Sequence, residues 1–193
     1  MKRNKRKKPK LVLGLVSLIC AGKSTLGEFL IDKYGFFHTS FSGVIKEEIE
    51  KRNQEVNRER LQAVGGELRE KYGSEILAKR VWERVLASGK SRAIVDGLRS
   101  VEEARFLKGK PNFYLIAVLA KPRLRYQRMI KRGRGGESLS WKEFQKMEER
   151  DKTVEGRNID GCLKMADIKI ENNGTIEEFQ ERIEKVLEKI KIK

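Results

Sequence analysis

Apolar residues in this chain follow two rhythms, and each predicts a different element. Short unbroken runs occur at Leu11 to Val16, Ala93-Ile94-Val95 and Phe113 to Leu119. Weaker versions are Phe36 to Phe41 and Ile168-Lys169-Ile170. Runs without polar alternation are buried on both faces, as strands of a helix-covered parallel sheet are. Between them the spacing changes to three and four. Leu26, Phe29 and Leu30 predict a helix that Gly35 ends. Ser42 is expected to cap a helix through Val44, Ile45 and Ile49, and Leu61, Val64 and Leu68 form one face of the next. Ile76, Leu77, Val81 and Val85 predict a further helix, whose Arg80 and Arg84 are read as a solvated face.

The second half repeats this alternation. Pro122 sits where a helix favours proline, in its first turn, and Trp141 to Asp151 is also helical in pattern. Thr175 and Glu178 have the spacing of a capping box. The stripe Ile176, Phe179, Ile183, Val186, Leu187 and Ile190 follows and is assigned to the core. Strands alternating with helices predict an α/β domain in three layers around a parallel sheet.

One junction carries chemistry. The first strand runs directly into Cys20-Ala21-Gly22-Lys23-Ser24-Thr25 and then into a helix. Gly-Lys-Ser alone opens many ordinary helices. Between a buried strand and an amphipathic helix it describes a phosphate-binding loop. In that reading backbone N–H groups hold phosphate oxygens, Lys23 bridges the β- and γ-phosphates, and Ser24 binds Mg²⁺. Position 17, where such loops carry their first glycine, is Ser17, which is expected to strain the turn. Asp96 closes the third strand, at the edge where ligands bind in open α/β sheets, and is assigned to the Mg²⁺. Arg128 and Arg132 share a helix face before a glycine-rich stretch, and are assigned to the transferring phosphoryl group.

Composition narrows the field. A chain of 193 residues is long enough for one cored domain. Its apolar runs fall short of the roughly 18 residues that a membrane span needs. Cys20, Cys162 and the single His38 are too few for a disulfide framework or a metal centre. A reduced, cytoplasmic protein is therefore expected, without metal beyond nucleotide-bound Mg²⁺. His38, beside aromatics and without a partner motif, is read as structural. Of the net charge of +16, seven positive charges lie in residues 1–10, leaving +9 for the rest. That stretch is expected to be a disordered basic tail, able to contact nucleic acid or a ribosome, or simply solvated.

The order of AGKSTLGEFL, SFSGVIKEEI, RERLQAVGGELREKYG, IVDGLRSVEEARFL, RYQRMIKRGRGG and IENNGTIEEF resembles the P-loop nucleoside monophosphate kinase-like proteins. The deoxynucleotide monophosphate kinase and dephospho-CoA kinase-like groups are the most similar. The resemblance covers roughly residues 11–187. It implies a single kinase domain over residues 11–193, with five parallel strands in the order 2-3-1-4-5. It further implies a helical acceptor-binding region at 42–90, a short lid at 132–140, and Mg²⁺-dependent transfer from ATP to a phosphorylated acceptor. By motif, Arg99 grips the acceptor phosphate, Arg69 is expected to do likewise from the helical region, and Arg150 corresponds to a lid-closing arginine. DGLR lacks the proline of the kinases' motif, and the lid lacks zinc-binding cysteines. The competing readings are an RNA- or ribosome-associated ATPase, supported by the basic tail, and a regulatory nucleotide-binding protein without turnover.

Overall fold

The structure is a computed structural model that describes residues 8–133, 139–153 and 158–190. Residues 1–7 of the basic stretch and 134–138 of the expected lid lie outside the described residues. The strands are β1 (Leu11–Ser17), β2 (Phe37–Ser40), β3 (Arg92–Asp96), β4 (Phe113–Leu119) and β5 (Ile168–Glu171). They form one parallel sheet in the order β2-β3-β1-β4-β5. This is the P-loop kinase α/β fold, with the strand order expected.

The unbroken apolar runs have the anticipated cause. Val12 and Val16 of β1 face one core, with Val95, Leu115 and Ala117. Leu11, Leu13 and Leu15 face the other, with Ile94, Ile116 and Val118. The first core is covered by α2 (Phe41–Lys51), α3 (Arg58–Tyr72), α4 (Ile76–Ala87), α5 (Val101–Lys108) and α8 (Ile159–Met165). The second is covered by α1 (Lys23–Tyr34) and α9 (Ile176–Lys189). The remaining helices, α6 (Pro122–Lys131) and α7 (Trp141–Thr153), are joined through edge-on contacts of Tyr126 with Trp141 and Phe144.

Helix ends follow the local chemistry. Gly35 stops α1 in the left-handed region (φ 65°), its N–H donating to the Ile31 carbonyl. Both halves of the capping box at α9 form, and Phe179, Ile183 and Leu187 are buried while Ile176 stays exposed. The cap of α2 is Ser40, not Ser42. Ser40 is extended as the last residue of β2, and its Oγ accepts the Gly43 N–H at 3.0 Å. The strand thus enters the helix without a loop. Arg80 and Arg84 also depart from expectation: they pair with Glu48 (2.9 Å) and Glu47 (2.6 Å) of α2 and tie two helices together. Helices α5 and α8 are additional to those expected: at eight and seven residues, each offers only about two turns of apolar spacing, too little to mark a helix.

Packing also reaches back before β1. Pro9 is buried, and its carbonyl accepts from Asn112 Nδ2 at 3.0 Å. Among the described residues no helix is long and apolar enough to cross a membrane.

Candidate nucleotide and acceptor site

Register brings the chemistry to one edge. Leu15 and Ser40 both lie beside Asp96 in the ladder, and Ser17 pairs with Val118. The C-terminal ends of β1, β2 and β3 therefore meet where the loop after β1 turns into α1. No side chain caps the first turn of α1; its cap position is Gly22 at φ 110°. A helix start left open in this way offers backbone N–H groups and the positive end of the helix dipole to an anion.

The loop solves its backbone problem differently from the sequence expectation. Ser17 closes β1 without entering the left-handed region. Cys20 does so instead, at φ 58°. That conformation costs a non-glycine residue roughly 1–3 kcal/mol, and it recurs where loops are held for ligand binding. Gly22 is required twice over, by its φ and because a Cβ there would collide with Asn172 Nδ2. Asn172, just after β5, donates to the Ala21 carbonyl at 2.9 Å.

Arg128 joins that brace. Its Nη2 donates to the Asn172 carbonyl (2.9 Å) and Oδ1 (3.2 Å), and its Nη1 reaches the Ala21 carbonyl at 3.5 Å. Burial and the neighbouring Arg132 lower its pKa. Arg128 thus lies against the loop's main chain, where the expectation had a guanidinium aimed at the phosphoryl group. Arg132 is exposed at the end of α6. Arg125, almost fully buried, secures the other side of the loop. Its Nη1 contacts the Ile19 carbonyl (3.4 Å) and its Nε the Ala120 carbonyl (3.0 Å), while Glu148 of α7 pairs with it.

Lys23 and Asp96 meet as an ion pair across the mouth of the loop. Thr25 is half-buried and Ser24 exposed at the same helix start. His38 is brought here as well, with Nε2 3.9 Å from Asp96 Oδ2. Its parallel pairing with β3, which no local pattern reveals, is what places it there. Burial raises the Asp96 pKa; His38, Lys23 and the Gly97 N–H reverse this and hold it at about 2. The folded-state pKa is depressed, so ionised Asp96 stabilises the fold above the ordinary 3.8 and loses that contribution as pH falls towards 2. Urea midpoints measured across this window should fall less steeply for Asp96→Asn than for the wild type. Parallel slopes would mean that Asp96 is not held in this state.

Of the two acceptor candidates, Arg69 is anchored by its side chain, while Arg99 is exposed and its backbone N–H is near the same partner, Glu103. Arg69 of α3 donates through Nε (3.2 Å) and Nη2 (2.8 Å) to Glu103 Oε1. The backbone N–H groups of Arg99 and Ser100 face the same carboxylate. Arg150 lies on α7, exposed.

The residues present suit a magnesium nucleotide: an open helix start, a glycine-shaped cradle, a lysine and a carboxylate at one sheet edge. Fold and loop together define the P-loop kinase class of nucleotide-binding α/β domains. Residues 20–145 match a family model described as an AAA domain. UPF0200 protein TK1334 from Thermococcus kodakarensis is 34% identical over 176 residues, spanning 88% of this chain and 92% of that protein. A UPF0200 protein from Hyperthermus butylicus is 28% identical, spanning 94% and 95%. The chain belongs to the UPF0200 family. Among solved structures, shikimate kinase from Acinetobacter baumannii superposes with a TM-score of 0.56 at 18% identity, covering 97% of each chain. Dephospho-CoA kinase from Campylobacter jejuni gives 0.55 at 16%, covering 93% and 96%. At such identities the likeness is one of fold.

Proposed function

We propose that this protein is an ATP-dependent kinase that transfers the γ-phosphoryl group to a phosphorylated nucleotide, either a (deoxy)nucleoside monophosphate or a molecule like dephospho-CoA. The pairing of Lys23 with Asp96 at the uncapped start of α1 carries this reading. A lysine so placed exchanges its carboxylate for phosphate oxygens, and the carboxylate becomes available to a cation. Ser24 and Asp96 would hold Mg²⁺, which supplies charge neutralisation between the phosphates.

The chain's own residues do the rest. Cys20 to Thr25 wrap the donor phosphates with backbone N–H groups, and Lys23 takes up charge that develops on the transferring group. Arg128 and Arg125 act indirectly, by fixing the loop's carbonyls at Ala21 and Ile19. On this reading Arg132, one turn beyond Arg128 and exposed at the end of the helix, meets the phosphoryl group. An anionic phosphate acceptor needs no protein base, so positioning by Arg69 and Arg99 suffices on the acceptor side. A cytoplasmic location fits nucleotide substrates.

The rival reading, an ATPase that meets RNA or a ribosome, rests on the basic tail, most of which lies outside the described residues. One screen separates the two. Protein, ATP and Mg²⁺ are offered AMP, CMP, GMP, UMP, the deoxynucleotides and dephospho-CoA in turn, and ADP release is followed. One acceptor should raise release well above the acceptor-free rate, with its phosphorylated product formed. Equal release with every acceptor would replace the kinase by an ATPase.

A further inference from the structure

Glu103 is a fully buried carboxylate that the donor-side chemistry does not use. It sits in the first turn of α5, three residues after Ser100, whose Oγ accepts the Glu103 N–H at 3.4 Å. That spacing is a capping box, and capping explains a residue of this shape. It does not explain the charge, because glutamine caps equally well. Nor does it explain the burial, since a capping glutamate normally remains in water. Here the side chain is withdrawn from solvent and reaches another helix, where Arg69 is the cation it meets. Among the described residues Oε2 makes no hydrogen bond, and Glu102 and the buried thiol of Cys162 are titratable neighbours. A buried carboxylate with incomplete partners weakens a fold unless it organises something.

What it organises is Arg69. Two guanidinium N–H groups are fixed on Glu103 and one on the Gly65 carbonyl (3.1 Å); among the described residues, two of the five that an arginine carries are left. The side chain remains 30% exposed. The Ser100 N–H faces the same carboxylate as the reciprocal half of the cap, with the Arg99 N–H beside it. We infer that Glu103 is a positioning residue: it holds Arg69 as a preformed guanidinium for the phosphate of the acceptor, beside the start of α5. The inference rests on the kinase reading for its substrate but not for its test. A long arginine fixed in advance loses less freedom when the phosphate arrives, which appears as affinity.

Inorganic phosphate is the probe, with the Ser100 backbone amide resonance as the local reporter in the full-length protein. Phosphate should shift this resonance in the wild type. Glu103→Gln, which retains the cap, should weaken phosphate about 5–10-fold with an unchanged thermal midpoint. Arg69→Ala should weaken it further, and Glu103→Gln should add nothing in the Arg69→Ala background, because the glutamate acts through the arginine. Additive losses, or a Glu103→Gln variant that loses stability but keeps its phosphate affinity, would overturn the proposal and make Glu103 a structural residue. So would a Ser100 resonance that does not respond to phosphate. None of these outcomes depends on turnover. If phosphate binds as described while every acceptor fails in the screen, the kinase reading falls and the positioning role stands.

Discussion

Replacing Lys23 with alanine is expected to lower the rate of phosphoryl transfer by about 10²–10³-fold, the usual loss when one preorganised charge is removed from a transition state. The fold should survive. Lys23 and Asp96 are each about one-quarter exposed, so their pairing contributes modestly to stability, on the order of 1 kcal/mol or less. Asp96 would retain His38 and the Gly97 N–H as neighbours and remain largely ionised at neutral pH. Lys23→Arg is not expected to rescue the rate. A guanidinium fork is wider than an ammonium and cannot act as a compact point charge between two phosphates. Steady-state ADP release with the best acceptor, beside a urea titration of each variant, checks both halves. A rate within a few-fold of the wild type, in a folded protein, would remove Lys23 from the chemistry and with it the proposed mechanism.

The loop and its lysine were legible in the sequence because their signal is local: strand, turn and helix follow one another without interruption. Asp96 was legible for a related reason, since it ends a strand and ligands gather at strand ends. Residues that reach the site through pairing between distant segments were not. His38 lies beside Asp96 because β2 is a parallel neighbour of β3, and nothing near residue 38 says so. Asn172 faces the loop from the far end of the chain, and its closeness to Gly22 depends on β5 lying at the other side of the sheet. Ser40 and Ser42 are both competent caps, and only the last residue of β2 decides between them. The expected strain at Ser17 shows a different kind of miss. The motif says which position is usually glycine, whereas the backbone decides where the positive φ falls, and here it falls at Cys20. Glu103 was hidden by its own ordinariness, as one of two adjacent glutamates on a short charged helix.

Arg125→Ala is expected to be strongly destabilising. The arginine is 2% exposed, and its side chain satisfies Glu148 together with the Ala120 and Ile19 carbonyls. Removing one partner of a buried pair leaves the other charged and without compensation, which costs about 3–5 kcal/mol. In a chain of this length such a loss lowers the thermal midpoint by roughly 10 °C. The damage should not be confined to stability. Ile19 lies in the loop and Glu148 in α7, so Arg125 is the link through which that helix supports the phosphate cradle. Nucleotide affinity should therefore fall along with stability, whereas Lys23→Ala separates the two. Replacing both partners, Arg125→Met with Glu148→Leu, should recover much of the stability, because the buried charge is gone. It should not recover the affinity, because neither side chain can donate to the Ile19 carbonyl. Differential scanning calorimetry and nucleotide titration of the single and double variants test this directly. If Arg125→Ala melted within 2 °C of the wild type (less than about 1 kcal/mol), α7 would be held by its aromatic contacts alone, and the loop would keep its shape without the arginine.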